Sequence, residues 1–342
     1  KKKNLKKIYN FRIIDEVSYL TIKTIQYKNS FSLKRILSWI DFEIKLIFLP
    51  LKNLSRPDVI IVSSLSLLTI INGLIFKKRF KCKLIFEVRD IWPLSLIEYK
   101  GYSNFNIFVL FLSFIEKLGY LFSDRIVGTM PKLGKHVEST VGVKDKVSFI
   151  PLGFDSNQVG NENIFLNNRI NEILDSEKII ITYIGSVGIS NNLGTFFETI
   201  RDLKINKKLF FLVIGDGDLK EKYLKEYKNC NNLIFSNAIE KKYIHNILRR
   251  SDILYFSLSK SKIWEYGQSL NKVIDYMLAG RPIIASYSGY KSMINEANCG
   301  KFVEVNNKKK LKKAILEYSN LTKQERVSIG ERGRQWLYQN RA

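Results

Sequence analysis

This chain of 342 residues is poor in cysteine, histidine and proline, with 3, 2 and 6 of them. Cys82, Cys230 and Cys299 lie far apart and form neither a CxxC pair nor a metal-ligand spacing, which fits a reducing, cytoplasmic compartment. With only His136 and His245, a structural zinc site is not expected, and no metal ion is assigned. Both histidines stand in helical, polar surroundings and are read as surface residues. No signal-peptide pattern opens the chain, so export is not indicated. No long low-complexity tract is present, which excludes a disordered chain. Helix-turn-helix, RRM and zinc modules are also missing, so nucleic acid is not expected as a partner. Acidic residues are the minority, 32 against 56 Lys and Arg, for a net charge of +24. A field of that size attracts anions, whether phospholipid headgroups, phosphorylated substrates or polynucleotides. Lys, Ile and Asn are abundant together, however, so lysine enrichment alone identifies no partner.

What is present fits a soluble α/β protein, with 45% hydrophobic and 26% charged residues. At about 100–200 residues per domain the length favours two domains. Short β-branched runs recur between segments of helical period, the pattern of parallel sheets. Strands are expected at 59–62, 83–87, 125–128, 147–150, 179–184, 210–214, 233–235, 253–256, 282–285 and 300–303. The uncharged run 59–76 approaches the minimum length of a membrane span, but Pro57-Asp58 followed by VIIVSS reads better as a turn, a buried strand and then a helix. A strand ending in Pro151-Leu152-Gly153-Phe154-Asp155, followed by the polar stretch SNQVGNEN, marks the interdomain break. The expected domains are 1–154 and 155–342, the second starting a fresh doubly wound sheet at Ile179. Ligands of such sheets bind at the carboxyl ends of the strands.

Two glycine loops follow strands of the second half, Gly185-Ser186-Val187-Gly188 and Gly215-Asp216-Gly217. Glycine allows backbone N–H groups to approach a phosphate closely, although each loop could equally be a plain strand-to-helix turn. Asp216 and Asp218 make a DxD, but Asp218 reads better as the N-cap of LKEKYLKEY than as a metal ligand. The segment SLNKVIDYMLAGRP, Ser269 to Pro282, joins more requirements: Ser269 as N-cap, a helix over LNKVIDYMLA, Gly280 at its C-terminal stop and a strand from Pro282. The N–H groups of residues 270–272, including Asn271, and the Lys272 ammonium could share a diphosphate. Asp275, one turn on, could accept two ribose hydroxyls. In the first half, EVRDIWP sets Arg89, Asp90 and Trp92 just after a strand; a buried Arg–Asp pair fixing the loop is the alternative. The stretch 105–122, FNIFVLFLSFIEKLGYLF, reads as a buried domain helix or an interfacial one.

Taken together, RPDVIIVSS, EVRDIWP, VGTMPKLGKHV, FIPLGFD, YIGSVG, VIGDG and SLNKVIDYMLAGRPII resemble glycosyltransferase family 4, of the GT-B architecture with two facing Rossmann-like domains. Within it the likeness is to bacterial O-antigen and capsule enzymes of the N-acetylfucosamine transferase type. It implies a retaining, metal-independent transfer from a nucleotide-sugar, a UDP-sugar carrying an N-acetylated hexosamine or deoxyhexosamine, with no cofactor. The acceptor implied is a lipid-linked saccharide of lipopolysaccharide, capsule or exopolysaccharide synthesis at the inner face of the cytoplasmic membrane, an anionic surface that the positive charge suits. Asp275 matches the second acid of the E-x7-E signature, the one assigned to ribose, whereas Gly267 stands where the first acid belongs, with Glu265 nearby. SVGISNNLG lacks the basic pair that follows the first loop, leaving Lys272 and Lys220 to meet the diphosphate, and Leu152 replaces the usual Asn of the linker. Asp90 and Arg89 fall on the acceptor side. The resemblance also implies that the first strand and glycine loop of the N-terminal domain precede Lys1, so that this domain is incomplete here. Two rival readings are a nucleotide-sugar 2-epimerase on the same fold and a basic membrane- or nucleic-acid-binding protein without catalysis.

Overall fold

Runs of β-branched and aromatic residues bounded by turns form every strand expected from sequence, and all of these strands run parallel. The computed structural model describes residues 8–27, 33–50, 55–156 and 168–342. The chain divides into two compact units, Lys1–Ile150 and Pro151–Ala342. Most of the polar stretch expected to link the domains, 157–163, lies outside the described residues.

The first unit opens with a hairpin that was not expected, β1 (Tyr9–Ile14) and β2 (Val17–Ile22). Its turn places Asp15 and Glu16 at φ 49 and 64, the left-handed pair of a two-residue hairpin loop, without the Gly or Asn that announces one. The parallel sheet follows as β3 (Val59–Ser63), β4 (Lys83–Val88), β5 (Arg125–Gly128) and β6 (Val147–Phe149), in chain order. The apolar run 59–76 is thus strand β3 and the start of helix Thr69–Phe80, and among the described residues no helix is long and apolar enough to cross a membrane.

The stretch 105–122 becomes helix Ile107–Phe122, capped by the Asn106 side chain. It buries Val109, Leu112, Ile115 and Tyr120 but leaves Ile107, Leu110, Phe111 and Phe114 exposed, so it is both a domain helix and an apolar surface. His136 corrects the surface reading: it is buried, with Nε2 2.8 Å from Glu116 Oε1, which also accepts from Tyr120 Oη at 2.9 Å. The helix Leu133–Val141 turns His136 inward beside Val137, and a buried carboxylate of the neighbouring helix satisfies the ring.

The second unit carries β7 (Ile179–Ile184), β8 (Leu209–Ile214), β9 (Leu233–Ser236), β10 (Ile253–Ser257), β11 (Ile283–Ser286) and β12 (Gly300–Val303). Their order, β9-β8-β7-β10-β11-β12, is that of a Rossmann sheet, with the reversal between β7 and β10. Helices cover both faces, so β8, β10 and β11 are buried along their whole length. Strand β11 begins at Ile283 rather than Pro282, since proline has no N–H for a ladder.

The final helix, Lys323–Asn340, fastens to this sheet through Arg326, whose guanidinium meets Asp252 Oδ1 at 2.9 Å while Asp252 Oδ2 accepts the Ile180 N–H at 3.0 Å. It also supports helix Asn271–Leu278: a side chain at Gly330 would lie 2.2 Å from the Gly280 carbonyl oxygen, so glycine there permits the close approach.

Candidate functional site

The reversal between β7 and β10 opens a crevice at the carboxyl ends of the strands, where ligands of such sheets bind. The residues gathered there come from the loop after β7, the loop after β8 and helix Asn271–Leu278. Tyr276, buried in that helix, ties it to the sheet: its hydroxyl accepts the Ile184 N–H at 2.8 Å and reaches the Tyr255 carbonyl at 3.1 Å. Helix start and loop are thereby held side by side.

Lys272 lies at this junction. Its Nζ is 2.9 Å from Asn191 Oδ1, 3.5 Å from Tyr183 Oη and 5.0 Å from the centre of the Tyr183 ring. Removal from water lowers its pKa to about 8. Gly185 makes room for it, since a Cβ at that position would stand 2.9 Å from Lys272 Nζ. No described carboxylate is within ion-pair distance of this ammonium, so an anionic ligand is the complement that its charge lacks.

The glycine loops divide their work differently from expectation. Gly215 and Gly217, at φ 155 and 153, let the loop after β8 lie directly on the loop after β7: side chains there would meet Gly185 O at 1.8 Å and Val187 O at 2.6 Å. The N–H groups of Gly185 and Val187 are occupied by the carbonyls of Ile214 and Asp216, both at 2.9 Å. Ser186 gives its carbonyl to Tyr183 Oη at 2.6 Å, and Gly188 is in extended backbone with only Ser186 Oγ near its open side, at 3.4 Å.

Other expected residues are placed as follows. Lys220 is buried, and its Nζ is held by Asn237 Oδ1 at 2.7 Å, at the end of β9. Ser269 is not the N-cap; the helix begins one residue later, with Leu270 at the cap and no side-chain cap bond. Leu270 is in extended backbone, which moves the cap past the serine. Gly280 does take the left-handed stop, at φ 65. Asp218 is no cap either: helix Lys220–Glu226 starts after Leu219, and Asp216 Oδ1 instead accepts the Gly217 N–H at 2.9 Å. Among the described residues no group of His, Cys, Asp and Glu could hold a metal ion.

Asp275 is turned to a separate cavity of about 410 Å³, walled by Phe154, Lys241, His245, Asn271 and Ile274 among others. That volume suits a nucleoside. Burial raises the Asp275 carboxyl above the usual range, and the Lys241 ammonium partly offsets this. His245, expected at the surface, is half-buried in the cavity wall, where burial and the charges of Arg249 and Arg334 depress its pKa. The helix therefore turns a cation toward the loop after β7 and a carboxylate toward the cavity.

Sequence reading missed Asn191, Tyr183 and Gln268. Gln268 is buried, and neither Oε1 nor Nε2 has a hydrogen-bond partner, a state costing about 1–3 kcal/mol per group. In the first unit Arg89 and Asp90 stand at the surface after β4, where partial burial raises the Asp90 carboxyl and the Arg89 charge opposes that. Their loop is fixed instead by buried Ser64, whose Oγ accepts the N–H groups of Arg89 at 2.9 Å and Asp90 at 3.3 Å.

A Rossmann sheet with a half-buried lysine at its strand ends, and a cavity beside the same helix, is the architecture in which α/β enzymes bind their ligands. Residues 165–336, half of the chain, match the family Glycosyl transferases group 1, and the chain belongs to that family. It is a glycosyltransferase, and the epimerase and non-catalytic readings give way to that. No curated protein sequence matches the chain. Solved structures similar to it include a sucrose-phosphate synthase from Thermosynechococcus elongatus, 15% identical over 94% of this chain and 79% of that one, with TM-score 0.69. Another is HepE of Anabaena in complex with UDP-glucose, 14% identical over 91% and 80%, TM-score 0.61. A third is the E. coli trehalose-6-phosphate protein bound with UDP-2-fluoro glucose, 11% identical over 99% and 88%, TM-score 0.73. At such identities the likeness establishes the fold, GT-B with two Rossmann-like domains.

Proposed function

We propose that this glycosyltransferase moves a sugar, an N-acetylated hexosamine or deoxyhexosamine, from a UDP-sugar onto a lipid-linked saccharide with retention and without a metal ion. The observation that carries the donor assignment is the Lys272 ammonium held beside Gly185, next to a cavity with Asp275 in its wall. The diphosphate lies against Lys272 and the start of the helix, and the ribose hydroxyls against Asp275. Charge that develops on the leaving diphosphate meets a fixed cation, the term that often dominates transfer chemistry. No protein nucleophile is assigned; the departing phosphate takes the acceptor proton as the acceptor oxygen attacks. Arg89 and Asp90 are assigned to the acceptor. A thermal-shift screen of UDP, GDP and CMP with their sugars tests the donor: at 100 times its Kd the right ligand stabilises by about 2.7 kcal/mol. Equal, negligible shifts from all of them would overturn the assignment.

The lipid-linked acceptor rests on the surface of the first unit. Ile107, Leu110, Phe111 and Phe114 form one exposed face of helix Ile107–Phe122, with Lys117 exposed on the same side. Beside them Trp39, Leu65, Trp92 and Phe108 line a small groove of about 150 Å³. An apolar helix face on a protein of charge +24 suits an anionic bilayer surface. In flotation with vesicles containing phosphatidylglycerol at low salt, the protein is expected to float, and the pair Phe111→Asp, Phe114→Asp to lose most of that binding without unfolding. Equal flotation of the pair and the wild type would remove this face from the membrane.

A further inference from the structure

Two loops of the first unit, 64–68 after β3 and 89–93 after β4, are joined at Ser64, whose Oγ accepts the N–H groups of Arg89 and Asp90. Each loop continues into the groove of about 150 Å³: Leu65 and Leu67 follow Ser64, and Trp92 stands two residues after Asp90. Helix Leu33–Ile47 adds Ile36, Trp39 and Ile40 to its walls, with the Trp39 and Trp92 rings edge to face at 6.2 Å. The groove is open to solvent. Ile40, Leu65 and Phe111 are exposed at its rim, while Leu67 and Leu112 are buried at its floor. Phe111 belongs as well to the exposed face of helix Ile107–Phe122, so groove and face are continuous.

The walls are fixed before any ligand arrives. Buried Glu43 of helix Leu33–Ile47 accepts from Ser66 Oγ at 3.0 Å, Thr69 Oγ1 at 2.5 Å and Asn72 Nδ2 at 2.7 Å, which locks the loop after β3 to that helix. A slot held in this way cannot collapse to hide its apolar surface, so a hydrocarbon gains by displacing water from it. Dry apolar cavities of this size take up benzene, a volume of about six carbons. The Arg35 guanidinium, 4.9 Å from the centre of the Trp39 ring, sets a cation beside the slot. We infer that the groove seats the hydrocarbon chain of the acceptor behind an anionic headgroup, and thereby brings the saccharide to Asp90 and Arg89 in the adjoining loop. This rests on the lipid-linked acceptor proposed above. The helix face holds the protein to the bilayer, and the groove selects one chain from it.

The test is titration of the protein with n-alkyl monophosphates from butyl to dodecyl, below their micelle concentrations, followed by the emission of Trp39 and Trp92; Trp264 and Trp336 lie in the second unit. Affinity is expected to rise up to about fourfold per added carbon, the worth of a buried methylene, and to level off beyond about six carbons. Leu65→Glu alters an exposed rim position, so it should keep the wild-type melting temperature and bind octyl phosphate at least about tenfold more weakly, the worth of two carbons. Affinity that climbs with chain length without levelling, or is equal in wild type and Leu65→Glu, marks general partition onto apolar surface and overturns the proposal. Equal binding of octyl glucoside and octyl phosphate also overturns it, since a slot indifferent to the headgroup takes bulk bilayer lipid as readily. Flotation with phosphatidylglycerol vesicles separates the two readings: protein that floats but binds no alkyl phosphate loses the groove assignment alone, and protein that does neither loses the lipid-linked acceptor with it.

Discussion

Replacement of Lys272 by alanine is expected to lower kcat/KM for transfer at least about 100-fold with the fold intact, the usual effect of removing one preorganised charge-stabilising donor. The side chain approaches Gly185 and Asn191 rather than supporting the hydrophobic core, so its loss removes charge from the site and little packing. The same lysine should leave a signature in stability. Burial takes its pKa from 10.5 to about 8, so the unfolded chain holds this proton more tightly than the folded one. Between those two values the unfolded state binds more protons, and the lysine's contribution to stability therefore rises with pH; below about pH 8 its full cost is present. Ligand-free Lys272→Met should thus be more stable than wild type at pH 7, by an amount on the order of 1–3 kcal/mol, and the gap should close toward pH 10.5. Affinity for UDP should move the opposite way in wild type, falling as pH rises through about 8, since the diphosphate needs the ammonium form. Near-normal turnover in Lys272→Ala would sink the assignment, and a pH-independent stability gap would contradict the buried-charge account.

Loss of the Asp275 carboxylate should cost roughly tenfold to a hundredfold in UDP affinity, because hydrogen bonds to a charged acceptor contribute about 1.5–3 kcal/mol. Asp275→Asn keeps the size and removes the charge. The partner is identified with 2′-deoxy-UDP: wild type should prefer UDP, and the preference should vanish in Asp275→Asn. If the variant still discriminates between the two nucleotides as wild type does, the ribose lies elsewhere. Burial raises the Asp275 pKa, so UDP affinity should decline with acidification before an ordinary aspartate would titrate. In Asp275→Asn that decline should be absent.

The second unit was legible almost residue by residue because its central strands are buried on both faces. A strand such as LFFLVI of β8 is apolar at every position, and so short a run between turns favours a strand over a helix. The hairpin of β1 and β2 was not legible, since its exposed strands mix polar and apolar residues and its turn puts Asp15 and Glu16, rather than Gly or Asn, in the left-handed region. His136 was misread for a related reason: a histidine in a short amphipathic helix turns inward only if a buried acceptor awaits it, and Glu116 lies 20 residues away.

In the site, sequence by itself determined the chemistry available: a lysine and an aspartate three residues apart at the start of a helix, and glycines after two strands. Local spacing suffices for that, because helical geometry puts positions 272 and 275 on neighbouring faces. Only the tertiary structure decided how these groups are used. The loop after β8 presses on the loop after β7 and takes up two of its N–H groups, so Gly215 and Gly217 serve loop packing, and Lys220 is held by Asn237. Asp275 lines a cavity because helix Lys241–Arg250 supplies the wall beside it, while Lys272 is turned instead onto Tyr183 and Asn191. Desolvation and hydrogen-bond satisfaction depend on what the rest of the chain packs around a group, and the partners of Lys272 stand 81 and 89 residues before it.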